Sequence, residues 1–382
     1  MHLPYVFDSF FMGGFECSTH RRVDGRRLDL IASTAHDRWA KADYATLAEH
    51  GLRSVRDGLR WHLIERSPGQ YDWSSFLPQL HAANQAGTQV IWDLCHYGWP
   101  DDIDIWRPAF VERFARFARE AARIIAEETS RPAFYSPINE ISFWSWAGGE
   151  MGHFAPVGRG RGFELKHQLV RASIAAIEAI REVDPRSRFV QTDPVINVMP
   201  GNNRPEVQGE AERFRQSQYE AWDMLCGTQW PGLGGRPEYL DILGLNYYSD
   251  NQWVLGGDTI WRGDPKYRPF CGILAELYRR YRRPLLVAET GAEGDARVEW
   301  LEYIANEVHL ALQRGIPVEG ICLYPILDYP GWDNDRHCET GLLGYSDEIG
   351  RRPVYGPLAE ALQRQRQRQR FDGLNASLAM TL

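Results

Sequence analysis

The chain has 382 residues, a formal net charge of −8, 43% hydrophobic and 25% charged residues. That composition is ordinary for a soluble globular protein with ample core, so no staple of disulfides or structural metal is required. The acidic balance argues against a general nucleic-acid or anionic-membrane partner. No run approaches 18 apolar residues, the opening MHLPYVFDSFFMGG lacks the features of a secretory leader, and the six cysteines show neither a CxxC pair nor metal-ligand spacing. The expectation is a cytoplasmic protein with reduced thiols, no metal and no organic cofactor.

Short apolar runs alternate with amphipathic stretches from end to end. A strand is expected at 10–17 and a helix at 37–50; then a strand at 52–57 and a helix that Ser74 caps and Gly87 stops. A strand at 88–95 precedes a helix at 108–128, on which Phe110, Phe114, Phe117, Ala121 and Ile124 fall on one face. Strands at 132–139, 187–193, 240–247, 284–289 and 318–324 are followed by helices at 164–183, 206–226, 268–281, 295–314 and 356–369. Eight βα units in one chain predict an α/β fold, a closed (β/α)8 TIM barrel, with the active site at the C-terminal ends of the strands. An open doubly wound sheet is the alternative, but no GxGxxG or GxxxxGK[ST] loop follows any strand. One domain is expected over 1–370, with a poorly ordered tail over 371–382 after the Gln/Arg alternation.

Two of these strands end in a glutamate: RPAFYSPINE closes on Glu140 and RPLLVAE on Glu289. A carboxylate at the end of a core strand is costly unless it is paired or does chemistry. Placed on one barrel rim, the two would supply the acid and the ionised partner needed to cleave a glycosidic bond. A structural ion pair is the competing explanation for either one alone.

The segments resemble family 1 glycoside hydrolases, the β-glucosidase family. INE resembles the acid/base motif Thr-Phe-Asn-Glu-Pro, with Ile141 where Pro is usual, and VAETG resembles the nucleophile motif Ile-Thr-Glu-Asn-Gly, with Thr290 for Asn. ILGLNYYS carries over Asn246 and Tyr248, VRDGLRW carries over Arg56 and Trp61, CHYGWP carries over His96, and LYPILDYPGW matches the stretch at strand 8. The resemblance implies a retaining β-glycosidase acting on a carbohydrate. Glu140 would be general acid and then base, and Glu289 the nucleophile, held ionised by Arg56 and oriented by Tyr248. Asn139 would bond the 2-hydroxyl of the sugar and His96 its neighbour. Double displacement implies carboxyls roughly 5–5.5 Å apart. The rivals are a transglycosylase using the same pair on an oligosaccharide and a glycan-binding barrel without turnover.

Departures from the family concern the sugar. Tyr324 stands for the Trp that floors the sugar subsite, and Gly331 for the Glu that grips the 4- and 6-hydroxyls. HRRVDG (20–25) matches the strand 1 segment only loosely. Asp333, Asp335 or Arg336 would be substitutes for the missing grip, and Glu16 and Glu150 competing carboxylates in the cleft. At least one of Trp99, Trp144, Trp146 and Trp332 is expected as a sugar-stacking platform, with the remainder packed in the core.

Overall fold

The computed structural model describes residues 6–379, and the side chains of 6–369. Eight parallel strands form the barrel: β1 (Phe11–Gly14), β2 (Ser54–Gly58), β3 (Gln89–Asp93), β4 (Phe134–Ser136), β5 (Arg188–Pro194), β6 (Ile242–Asn246), β7 (Leu285–Thr290) and β8 (Val318–Leu323). Each strand pairs with its successor, and β8 closes on β1 through Phe11–Ile321 and its neighbours. The connecting helices include α1 (His36–Glu49), α2 (Leu77–Ala86), α3 (Pro108–Glu128), α4 (Gly162–Val183), α5 (Pro205–Gln216), α6 (Phe270–Tyr281), α7 (Ala296–Gln313) and α8 (Gly356–Ala379). The eight expected strands and the barrel they imply are all present.

Side chains alternate across each strand, so the barrel has two cores. Met12, Ile91, Phe134, Val190, Ile242, Leu286, Ala288 and Cys322 fill its interior. A larger layer lies between strands and helices, where Phe110, Phe114, Phe117 and Ala121 turn the predicted face of α3 inward. Trp61, carried over with Arg56, belongs to that layer: it is fully buried, stacks on Phe117, and donates its indole N–H to Glu65 at 2.8 Å.

Local chemistry moved several boundaries. Ser74 does not cap α2; it lies in a 3-10 turn, Trp73–Ser75, where the Asp72 carboxylate accepts its N–H at 3.0 Å. Gly87 does end α2, in the left-handed conformation (φ 65°) that glycine adopts without steric penalty. The helix expected over 206–226 is broken by a 3-10 turn at Ser217–Tyr219 into α5 and Glu220–Leu225. β4 is short because Pro137 has no N–H to continue the ladder. Of the expected tail, 371–379 is helical backbone within α8, and 380–382 lie outside the described residues.

All six cysteines are free. Among the described residues, no helix is long and apolar enough to cross a membrane.

A charged knot ties the first two βα units to the end of the chain. His36, fully buried, faces Asp43 at 2.7 Å and Asp57 of β2 at 2.9 Å, while Phe15 stacks on its ring at 3.7 Å. Arg352, just before α8, meets the other oxygen of Asp43 at 2.6 Å. Burial opposes a charge on His36, but Asp57 and Asp43 outweigh it and raise its pKa from 6.5 to about 9. A raised folded-state pKa means that this stabilisation is complete below about 6.5 and is lost as pH rises through about 9. The melting temperature should therefore fall between pH 6.5 and pH 9. His36→Ala, which leaves Asp57 with neutral donors only while Arg352 still holds Asp43, should lower stability by about 3 kcal/mol at neutral pH and flatten that fall. Equal pH profiles for the two proteins in calorimetric melts would show that the knot is not charged.

Candidate active site

The C-terminal ends of β2, β3, β4, β6 and β7 converge on one buried polar cluster. Its centre is Arg56 of β2, which has no exposed surface. Arg56 Nη1 donates to Glu289 Oε1 and to the Ala288 carbonyl, both at 2.9 Å. Its Nη2 donates to Asp93 Oδ2 of β3 at 2.7 Å and to Asn139 Oδ1 at 3.1 Å. Tyr248, just after β6, donates to the second oxygen of Glu289 at 3.0 Å. The pairings expected of Arg56 and Tyr248 with Glu289 are thus present as contacts.

Glu140 sits opposite, with different partners. Asn246 donates to its Oε1 at 2.8 Å, and the Tyr97 hydroxyl donates to Oε2. Glu140 is held at φ 48° and ψ 60°, and Tyr97 at φ 65°. A left-handed backbone costs a non-glycine residue about 1–2 kcal/mol and survives only where surroundings enforce it. Here the Asn139 N–H donates to the Cys95 carbonyl and the Glu140 N–H to the Thr192 carbonyl, both at 3.0 Å. Asp193, at the end of β5, accepts the Ser142 N–H and hydroxyl at 3.0 and 2.6 Å, anchoring the turn that follows Glu140.

Asn139 joins the two halves. It is fully buried, with Oδ1 on Arg56 and Nδ2 facing His96 Nε2 at 3.0 Å and the Tyr97 hydroxyl at 3.1 Å. His96 in turn places Nδ1 at 3.2 Å from both Asp93 Oδ2 and Cys17 Sγ. Cys17, Asp93 and His96 gather three metal-type ligand atoms within 4.8 Å of one another. Arg56 already neutralises that Asp93 oxygen at 2.7 Å, so a cation there would face a guanidinium.

Burial is the main force on both glutamates and raises both pKa values. Glu289 rises to about 7 through burial, with Arg56 opposing and Glu140 adding to the rise. Burial opposes charge on His96, but its Asp93 hydrogen bond and the Glu16 charge carry its pKa upward.

The aromatic residues divide. Trp144, expected among the substrate-binding residues, is fully buried and donates its indole N–H to the Ala155 carbonyl at 3.0 Å, so it packs and offers no platform. Trp332 is half-buried and meets His20 at 4.6 Å and Tyr97 at 5.6 Å between ring centres, lining a cavity of ≈ 500 Å³ with Phe143 and Phe154. Trp146, 43% exposed, lines a separate groove of ≈ 750 Å³ with Glu150, Phe163 and Trp253. Trp99 bonds the Ile103 carbonyl at 2.9 Å. Tyr324 is 2% exposed, lies beneath Arg56 at 5.3 Å, and parallels the His96 ring. Gly14 makes room for it, since a Cβ there would fall 2.1 Å from the Tyr324 ring.

Of the three substitutes for the missing strand 8 grip, two are engaged elsewhere. Asp335 pairs with Arg26, and Arg336 with Glu293. Asp333 alone lines the cavity beside Trp332. Tyr97, Asp93 and Asp193 were missed from sequence. The two aspartates end strands, the same signal that picked out the glutamates, and Tyr97 follows His96 directly.

No family model matches the chain. It is 23% identical to β-glucosidase 1B of Phanerodontia chrysosporium over 399 aligned residues, covering 82% of this chain and 72% of that protein. In structure it is similar to a β-glucosidase from Thermotoga maritima in complex with glucoimidazole, with a TM-score of 0.78, 16% identity, and 94% and 99% of the two chains covered. It is similar also to the AHE enzyme from Alicyclobacillus herbarius, with a TM-score of 0.77, 16% identity, and coverage of 94% and 99%. Together with the closed eight-stranded barrel, these likenesses show that the chain has the (β/α)8 fold of the β-glucosidases it resembles.

Proposed function

We propose that the chain hydrolyses a β-glycosidic bond with retention, through a covalent glycosyl-enzyme on Glu289. The observation that carries this reading is the unequal environment of the two glutamates. Glu289 accepts from the buried guanidinium of Arg56, whereas Glu140 has only the neutral donors Tyr97 and Asn246. Burial disfavours charge on both carboxyls, and each disfavours ionisation of the other. The cation places the ionised form on Glu289, and the proton then resides on Glu140.

In the first step Glu289 attacks the anomeric carbon while Glu140 protonates the departing oxygen. In the second Glu140, now ionised, takes a proton from water, which attacks the same carbon and releases Glu289. Asn139 is assigned to the 2-hydroxyl of the sugar, and Trp332 and Tyr324 to its apolar face. The β-glucosidase likenesses and the T. maritima enzyme's glucoimidazole complex support a carbohydrate substrate.

Glu289→Gln should lower kcat/KM on an aryl β-glycoside by ~10³-fold or more. The first-formed sugar should be the β-anomer by NMR; the α-anomer would indicate inversion and carboxyls about 6.5–9.5 Å apart, and would sink the mechanism. Glu140→Gln should slow poor leaving groups by ~10²–10⁴-fold and activated phenols far less, because only the former need a proton. A uniform loss across leaving groups would remove Glu140 from the acid role. Tyr97 lowers the Glu140 pKa against the dominant effect of burial. Tyr97→Phe should therefore raise that pKa and move the alkaline limb of kcat/KM upward, and an unmoved limb would count against the contact.

A further inference from the structure

We propose that Glu16, just beyond β1, grips the 3- and 4-hydroxyls of the bound sugar, on the side of the ring away from its anomeric carbon. The assignment deepens the hydrolase reading above and rests on the same site. Glu16 is 8% exposed, yet it joins none of the ion pairs centred on Arg56. Its Oε1 accepts the Ser18 N–H at 3.0 Å and the Ser18 hydroxyl, which fixes the carboxylate plane. His96 Nε2 stands 3.8 Å from the same oxygen. Among the described residues Oε2 has no hydrogen-bond partner.

Glu16 stands beside the strand-end cluster, because the His96 Nε2 that lies 3.8 Å from its Oε1 also faces Asn139 Nδ2 at 3.0 Å. After burial, the charge of Glu16 contributes to raising the hydroxyl pKa values of Tyr248, Tyr324 and Tyr329, and it also acts on Glu289. Buried polar atoms without partners occur on residues of the site as well, at Tyr324 Oη and Asn246 Oδ1, and at His20 Nδ1 beside Tyr97. Burial lowers the His20 pKa to about 3, so its ring is neutral and accepts or donates without charge. Unsatisfied buried groups are costly unless a ligand completes them, and sugar hydroxyls both donate and accept.

Geometry selects the hydroxyls. Glu140 and Glu289 bracket the anomeric carbon from β4 and β7, and β1 lies across the barrel from β4 and β5. On the proposed mechanism a pyranose held at C1 by that pair would turn the far side of its ring, with the 3- and 4-hydroxyls, towards β1. A carboxylate with one oxygen fixed and one free suits a neutral hexopyranoside that offers this vicinal pair.

Binding separates the assignment from turnover. Dissociation constants of p-nitrophenyl 1-thio-β-glycosides, and of their 3-deoxy and 4-deoxy forms, would be measured by calorimetry on wild type, Glu16→Gln and Glu16→Ala. In wild type, loss of at least one of the two hydroxyls should weaken binding by ~10-fold or more, the scale of a hydrogen bond to a charged acceptor. In Glu16→Ala the parent and deoxy sugars should bind within about twofold of each other, with Glu16→Gln between the two. Equal deoxy penalties in all three proteins would overturn the assignment, as would failure of every parent sugar to bind. Hydrolysis of the O-glycosides is assayed in parallel. A chain that binds with the expected pattern but does not turn over keeps Glu16 and refutes the hydrolase reading instead.

Discussion

The site depends on one buried guanidinium. Removing Arg56 from water costs several kcal/mol unless its donors are met by well-placed acceptors. Nη1 and Nη2 find four, on Glu289, Ala288, Asp93 and Asn139, and only Nε has no partner. Those acceptors come from β3, β7 and the segment after β4. A single side chain from β2 therefore sets Glu289 directly, and sets Glu140 indirectly through Asn139 and Tyr97. Displacing Arg56 would leave two carboxylates uncompensated in a dry interior, so the geometry of the pair and the stability of this end of the barrel are one problem.

On the proposed mechanism, the same cation separates two roles that burial leaves alike. Desolvation alone raises both glutamates and cannot distinguish an acid from a nucleophile. The distinction comes from partners: a guanidinium on one carboxyl, a phenol and an amide on the other. Strained backbone at Glu140 and Tyr97 fits this picture, since both residues leave regular structure to bring two side chains together.

Sequence periodicity was enough to locate all eight barrel strands, because buried parallel strands read as short apolar runs between long amphipathic helices. The strand-end rule also reached Glu140 and Glu289, while Arg56 and Asn246 were reached through the motif resemblance. Where it failed, the deciding geometry lay in loops. Tyr97 reaches Glu140 only because its backbone turns left-handed, and no residue type at that position announces the turn. Trp144 and Trp146 are two residues apart in one loop, yet one is sealed in the core and the other 43% exposed, a difference fixed by tertiary packing. Ser74 lost its capping role to a competing Asp72 turn two residues earlier.

The departures at strands 1 and 8 have a common physical setting. β8 and β1 are hydrogen-bonded neighbours, so their C-terminal ends lie about 4.8 Å apart, less than the length of a glutamate side chain and its hydrogen bond. Residues that follow the two strands directly therefore reach the same side of the site. Gly14 contributes to this arrangement: lacking a Cβ, it admits the Tyr324 ring against β1, where a phenol rather than an indole floors the chamber two residues before Glu16. Tyr324 follows β8 directly and Glu16 follows β1 by two residues, so the pairing of these strands brings the ring and the proposed grip to one side of the site.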